Sequence, residues 1–355
     1  YINPQTILTA GDLDVLRYHL AKYVTIEKII IFNSNLFIER GVKQKRIIPT
    51  SSLILVVGKN APSKTHAVEV INYKGVEDTI KDTLNNIVKG EKTDTRKVKQ
   101  ADLLENATNW NFIKQDKAFL DFYEQYRRNT EDISIYYQHT LAQKKFSNKF
   151  YFDTGFKIDE KNLLKTPSAG FYTYFKPNKR WWKLHDIRGY WPNDRDPKSE
   201  FYIGLLQPFK GYTLLDTKFK ILWSYANPDR FYFTDEPTIW ARNHFCAIGS
   251  DNTPELFFLF SILNSPINQV LLISLLKNEN EKNLLIPVRA VRDFVRVPLI
   301  TPKNRHIKKE IIERTEQMLA LEEKTLSDFV DFSGVLVQKL DDVEVAGDTL
   351  VLIHD

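Results

Sequence analysis

The sequence predicts an α/β unit followed by an α+β unit, and three observations lead to that class. Within the first 75 residues, the runs 26–32, 53–57 and Ala67–Tyr73 are short, apolar and rich in Ile and Val, as strands buried on both faces should be. From residue 146 to about 250 the helical period disappears, and aromatic and turn residues dominate, as in Trp181-Trp182, Tyr190-Trp191-Pro192-Asn193-Asp194, Asn227-Pro228-Asp229-Arg230 and Phe231-Tyr232-Phe233. Short strands joined by irregular loops are the expected result. Beyond residue 250 the period returns to that of helices.

Ahead of the first strand, Asp12 follows Gly11 as the expected N-cap of a helix over 12–23, with Leu13, Leu16, Leu20 and Tyr23 at helical spacing. The span 33–50 between the first two strands is polar, holds Lys43, Lys45 and Arg46, and passes Pro49, which predicts a basic loop at the rim of a sheet. After Gly75 the pattern predicts helices of mixed charge over 76–88 and 116–128. Between them the hydrophilic stretch 91–100 reads as a surface loop. Thr253 is the expected N-cap of a helix with Pro254 in its first turn, and that helix is expected to carry Leu263-Asn264-Ser265. A long amphipathic helix is predicted over 303–331. The alternating stretch 343–353 folds back at Gly347-Asp348 like a hairpin. The organisation is therefore an α/β portion (1–75), a helical connector (76–145), a mixed β-rich region with packed helices (146–300), a long helix (301–332) and a hairpin-like tail (333–355).

Composition narrows the function classes. The single Cys246 excludes an internal disulfide and fits a reducing, cytoplasmic compartment. The most apolar stretch, 257–276, is broken by Asn264, Ser265, Pro266, Asn268 and Gln269. A membrane span needs roughly 20 residues with few such interruptions, so a buried helix and no membrane are expected. The only Met is Met318, so Tyr1 is not expected to be a natural start, and sequence ahead of it is expected. The chain carries a net charge of +5, unevenly spread. Residues 144–230 hold 17 Lys and Arg against 9 Asp and Glu, a local +8, which leaves −3 for the remainder. Such a segment is an electrostatic footprint for a polyanion.

The residues suited to that role are specific. In Phe171-Tyr172-Thr173-Tyr174-Phe175-Lys176-Pro177-Asn178-Lys179-Arg180-Trp181-Trp182-Lys183, aromatics interleave with cations. Most of the aromatics are expected to form a core, so the binding role falls to Lys179, Arg180, Lys183, Arg188, Arg195 and Arg230, which can neutralise phosphates. Asn193 and Asn227 are candidate base readers by residue type. Arg289, Arg292 and Arg296 are spaced to share one helical face that could lie along a nucleic-acid backbone. Other chemistry is disfavoured: the seven His show no ligand spacing, one Cys cannot build a structural zinc site, Asp194-Arg195-Asp196 reads as a solvated turn, and Ser333-Gly334 reads as a helix end.

Taken with Ile2-Asn3-Pro4-Gln5, the helix and the strand pair, Leu36-Phe37-Ile38-Glu39-Arg40 resembles the closing part of the catalytic domain of gamma-class N6-adenine DNA methyltransferases. In that family a strand, a helix, a strand, a loop with a Phe and a final strand follow in this order. The later stretch, from Lys220-Ile221-Leu222-Trp223 through Leu263-Asn264-Ser265 to Val291-Arg292-Asp293-Phe294-Val295-Arg296-Val297-Pro298, is similar to the TaqI-type target-recognition domain. The resemblance implies the end of a Rossmann-like methyltransferase sheet, double-stranded DNA as partner, and Phe37 stacking on an extruded base. It also implies a site-specific restriction-modification protein of type IIG using S-adenosylmethionine. The family's catalytic Pro-Pro pair and glycine-rich turn are both missing, since no two prolines are adjacent and no Gly-x-Gly occurs. This chain is therefore expected to hold no cofactor and to be inactive alone, with the catalytic region supplied upstream. A non-enzymatic DNA-binding specificity module and a carbohydrate-binding module remain as alternatives, and the basic segment argues against the second.

Overall fold

The computed structural model describes residues 2–32, 52–75, 77, 79–142, 151–176, 178, 181–205, 210–242, 244–277, 283–324, 328, 342–346 and 349–353. Strand β1 (Ile2–Pro4), a 3-10 turn, helix α1 (Asp14–Tyr23), and strands β2 (Thr25–Phe32), β3 (Ser52–Gly58) and β4 (Ala67–Tyr73) open the chain. Helix α2 (Ile80–Lys89) leads to strand β5 (Thr93–Lys99), which completes a five-stranded sheet in the order β1-β3-β2-β4-β5. Only β2 and β4 are parallel; the other neighbours are antiparallel. The three Ile/Val runs are strands, and Ile26, Ile29, Ile31, Leu53, Leu55, Val68 and Val70 are buried in one core.

Two local expectations are corrected here. The stretch 91–100 is mostly β5 and not a loop, because alternation places Val98 against the core while the charged residues face water. A charged edge strand is a common way to keep a sheet edge from pairing with other chains. The first helix begins at Asp14 with Leu13 in the capping position, and Asp12 does not cap it. Its inward face holds Arg17 and Ala21, while Leu16 and Tyr23 are exposed. Arg17, fully buried, donates to the carbonyls of Ile7 (2.8 Å), Ala10 (2.9 Å), Ala107 (2.6 Å) and Thr108 (2.6 Å). Burial lowers its pKa to about 10, so it stays charged at neutral pH. Four carbonyl partners satisfy donors that would otherwise make its burial prohibitive.

Helix α3 (Gln100–Glu105), a 3-10 turn at Asn111–Lys114, helix α4 (Lys117–Arg128), strand β6 (Thr130–Asp132) and helix α5 (Ile133–Ala142) follow. Gln100 ties the sheet to α1: its amide donates to the carbonyls of Ala21 and Val24 and accepts from the Ile26 amide. The mixed region begins with β7 (Tyr151–Asp153), β8 (Tyr172–Lys176), β9 (Asp186–Trp191) and helix α6 (Lys210–Leu215). Strands β10 (Phe219–Ser224), β11 (Phe231–Thr234) and β12 (Phe245–Ser250) join β7 in an antiparallel sheet ordered β11-β10-β12-β7. Both faces of this sheet are covered: Ile221, Trp223, Phe231 and Phe233 enter one core, while Leu222, Tyr232 and Ala247 enter the other. Period-two alternation thus distributes side chains between two cores, which is why these strands look uniformly apolar in sequence.

Helices α7 (Thr253–Leu263) and α8 (Pro266–Leu276) meet at a bend of 62°. Among the described residues no single helix is long and apolar enough to cross a membrane; this bent pair passes only by length and composition. The cap of α7 is Asn252, whose side chain accepts from the Glu255 amide, and not Thr253. Leu263-Asn264-Ser265 is the corner between the two helices. Asn264 accepts from the Phe231 amide (3.0 Å) and donates to the Phe231 carbonyl (3.2 Å), so the corner is fastened to β11. Ser265 caps α8.

Helix α9 (Val288–Phe294), strand β13 (Arg296–Pro298, paired with β6), helix α10 (Arg305–Leu321) and a hairpin of β14 (Asp342–Ala346) and β15 (Thr349–Ile353) complete the chain. The long helix stops at Leu321, ten residues short of expectation. The reason is tertiary: the Glu322 carboxylate turns to accept from the Trp182 and Lys183 amides. Near the start of α10, Lys308 bonds both Glu255 oxygens (2.6 and 2.8 Å) and the Tyr136 hydroxyl (2.8 Å), locking it to α5 and α7. The structure thus has mixed α/β content in several sheets, as the α/β plus α+β expectation requires.

Candidate nucleic-acid interface

Phe37, Lys43, Lys45 and Arg46, together with Lys179 and Arg180, lie outside the described residues. What the structure describes is the frame around the first four. The Gln5 amide donates to the Phe32 carbonyl (2.7 Å) and the Ser52 carbonyl (3.1 Å), joining the end of β2 to the start of β3. Lys114 in turn donates to the Gln5 side-chain oxygen (2.8 Å). Gln5 is therefore the residue of Asn3-Pro4-Gln5 that sets the distance between the two ends of the span 33–51.

Of the four candidate cations of the basic segment that are described, three pair with carboxylates. Lys183 pairs with Glu323, and Arg188 pairs with Glu160. Arg195 pairs with Asp216 (2.5 Å) and lies over the Tyr212 ring at 4.5 Å. Arg230 has a different environment: its guanidinium stacks on Trp182 at 4.3 Å and donates to the Trp181 carbonyl. The Arg195–Asp216 pair is exposed on both sides, and such pairs contribute about 0–1 kcal/mol, whereas Lys183 and the Glu160 carboxylate, which also accepts from Tyr174, are mostly buried. Asn193 is exposed and has no hydrogen bond among the described residues. Asn227, at a left-handed φ of 49°, accepts from the Leu284 amide and donates to Asn283, so its amide closes a turn.

The expected arginine row is corrected. Helix α9 ends at Phe294, so Arg296 falls on β13 and points inward. Its guanidinium donates to the Thr130 hydroxyl (3.1 Å) and carbonyl and to the Arg127 carbonyl (3.3 Å). Arg289 pairs with Asp14 (2.6 Å) and Asp293 (3.3 Å), and Arg292 pairs with Asp293 (3.3 Å). The Asp14 carboxyl is held below the usual range, first by its hydrogen bond from Arg289. The sequence spacing is compatible with one helical face, but the turn into β13 breaks it.

Residues not singled out by sequence are more available. Lys157, Lys161, Lys165, Lys176, Lys198 and Lys218 are exposed and have no ion-pair partner among the described residues. The only signal that could have found them is the local charge excess, because nothing in their immediate neighbourhoods distinguishes them. Most aromatics of 171–183 are core or half-buried as expected: Tyr172, Tyr174 and Phe175 are buried, and Trp181 and Trp182 are half-buried.

No family model matches the chain, and no curated protein does either. One solved structure with a likeness to it is described as "Characterization and crystal structure of the type IIG restriction endonuclease BpuSI". The two are 13% identical, with a TM-score of 0.38, over 89% of this chain. The chain spans 42% of that protein's length.

The described residues offer neither a metal site nor a reactive thiol. Among the described residues no group of three or more His, Cys, Asp or Glu could hold an ion. Burial pushes the Cys246 thiol up to about 12, which leaves it unreactive. Gly75, just beyond the C-terminal end of parallel strand β4, has no room for a side chain: a Cβ there would lie 2.4 Å from the Tyr73 hydroxyl.

Proposed function

We propose that this chain is the DNA-facing part of a site-specific adenine-N6 DNA methyltransferase of a restriction-modification system. In this reading residues 1–75 complete the catalytic sheet and contribute Phe37 to hold an extruded base, and residues 146–300 read the target. The observation that carries the DNA part is the local charge of 144–230, with six lysines exposed and without an ion-pair partner among the described residues and with Arg195 in an exposed, displaceable ion pair. The methyltransferase part rests on the strand, helix, strand, Phe-bearing span and strand order at the start of the chain, with Gln5 joining the span's two ends. Cofactor binding and the catalytic tetrapeptide then belong to a region other than this sequence. The second reading, a DNA-binding specificity module without catalysis, shares the charge and differs in Phe37.

Fluorescence anisotropy of duplex DNA at several salt concentrations tests the shared part. With about five phosphates neutralised, the log-log salt slope should lie near −4 to −5, and a flat response would remove both readings. Calorimetry with S-adenosylmethionine and its demethylated product should show no binding to this chain alone; micromolar binding of either would overturn the division of labour. In the complete enzyme, Phe37→Ala should remove about 1–3 kcal/mol of stacking and slow single-turnover methylation roughly ten- to hundredfold. If the melting temperature falls instead while activity per folded molecule is kept, Phe37 is a core residue.

A further inference from the structure

A cavity of about 290 Å3 lies where the first sheet's helical flank meets the later helices, between α3, α4, α8, α9 and the β6/β13 pair. Its charged lining consists of Glu105, Arg127, Asp132, Asp293 and Arg296. Tyr123, Phe112, Phe294 and Leu275 supply less polar walls.

Arg296 is more than nine-tenths buried, yet no carboxylate among the described residues lies within ion-pair distance of it. Its Nε and Nη2 are engaged with Thr130 and the Arg127 carbonyl, and its Nη1 has no hydrogen bond among the described residues. The spare Nη1 opens to the cavity, and the Asp132 carboxylate acts on this guanidinium only from beyond ion-pair distance. At the mouth, Arg127 lies 5.7 Å from the Tyr123 ring and donates from Nη1 to Asn106, and among the described residues it has no hydrogen bond at Nε or Nη2 and no carboxylate partner. The Tyr123 hydroxyl also has no hydrogen bond among the described residues, and burial raises its pKa, so it remains a donor at neutral pH.

The acidic groups make no ion pair with these donors among the described residues. Asp293 is engaged by Arg289 and Arg292, Asp132 accepts from the Ile135 amide, and Glu105 is exposed. Two cations sharing one cavity also repel, and the Arg127 charge adds to burial in lowering the Arg296 pKa. An anion between them would relieve both effects.

We propose that this cavity binds a phosphate group, received by Arg296 Nη1 at its floor and by Arg127 and Tyr123 nearer its mouth. The outer fork of Arg296 keeps one free arm, Nη1, because Nη2 is taken by the Thr130 and Arg127 carbonyls. Donors from three side chains, Arg296, Arg127 and Tyr123, suit the several oxygens of a tetrahedral anion. The phosphate comes either from a free small molecule or from a nucleic-acid backbone. The site is independent of the methyltransferase reading.

The test is calorimetric titration of the chain with inorganic phosphate at constant ionic strength, with chloride as the balancing ion. Saturable binding in the low-millimolar range, roughly −4 kcal/mol, is expected. Arg127→Met and Tyr123→Phe should each weaken it about fivefold, the loss of one hydrogen bond, with melting temperature nearly unchanged. Arg127→Lys should retain part of the affinity. Arg296→Met removes donors from Thr130 as well and threatens folding, so the two variants nearer the mouth carry the decision. Addition of a short DNA duplex distinguishes the sources: competition assigns the phosphate to the backbone, and its absence assigns it to a free molecule, either of which upholds the site. No saturable binding, or equal binding by wild type and both of these variants, overturns it.

Discussion

The five-stranded sheet near the start of the chain, whose main core lies on one face, and the four-stranded sheet of the mixed region, which is buried on two, are held to their surroundings by different means. The first sheet is wired by long polar side chains that reach backbone groups far away: Gln5 to Phe32 and Ser52, Arg17 to four carbonyls, Gln100 to Ala21, Val24 and Ile26. The second is packed between two cores by Trp223, Trp240, Tyr232 and Phe231, and only its margins carry ion pairs. Polar wiring fixes the distance between chain segments, whereas aromatic packing supplies bulk stability and leaves the surface free to vary. The first suits a frame around the 33–51 span, and the second suits a platform for changeable surface contacts.

The comparison predicts a graded set of effects. Trp223→Ala should be the most damaging, about 3–5 kcal/mol by denaturant unfolding, because a fully buried ring is lost and the Ile286 carbonyl loses its donor. A loss below about 1 kcal/mol would show that packing does not dominate the second sheet. Gln100→Leu should cost roughly 2–3 kcal/mol, since two carbonyls and one amide lose partners. If it is neutral, the wiring of the first sheet is ornamental to its stability.

Lys220 departs from this division, being a polar side chain within the aromatic sheet. It is 1% exposed, its ammonium donates to the Thr217 carbonyl (2.5 Å), and burial lowers its pKa to about 8 from an ordinary value of 10.5. Between those values the unfolded chain binds more protons than the folded one, so this lysine's contribution to stability should rise with pH from about 8 to 10.5. Relative to Lys220→Met, the wild type should gain roughly 3 kcal/mol across that window. A pH-independent difference between the two proteins would mean that the lysine is not desolvated in solution.

The smallest stability effects belong to the ion pairs. Arg188→Ala and Arg195→Ala should change unfolding free energy by no more than about 1 kcal/mol. If either cation meets a DNA phosphate, its removal should reduce the salt slope by about one unit. The same substitution of Lys157 or Lys176, which have no carboxylate partner among the described residues, sharpens the contrast, because no ion pair has to open first.

The legible parts of the fold are those where local composition and tertiary role agree. Runs of Ile and Val were enough for β2, β3 and β4, and alternation around Gly347-Asp348 was enough for the terminal pair of strands. Strand β5 was not legible, because an edge strand is charged for the same reason that a loop is. The site was less legible still. Charge spacing suggested Arg289, Arg292 and Arg296 as one row, but spacing says nothing about where a helix stops.

By itself, then, the sequence determined the class of fold, the buried strands, the basic segment and the absence of a glycine turn or Pro-Pro pair. Each is a property of neighbouring residues and needs no knowledge of distant ones. Only the tertiary structure decided that Arg17 is buried while Leu16 is exposed, that Leu263-Asn264-Ser265 is a corner fastened to β11, and that Arg296 faces an interior cavity. In each case the partner group lies far along the chain: the Thr108 carbonyl for Arg17, the Phe231 backbone for Asn264 and Thr130 for Arg296. A buried polar side chain is placed by where its partners are, and local pattern carries no record of them.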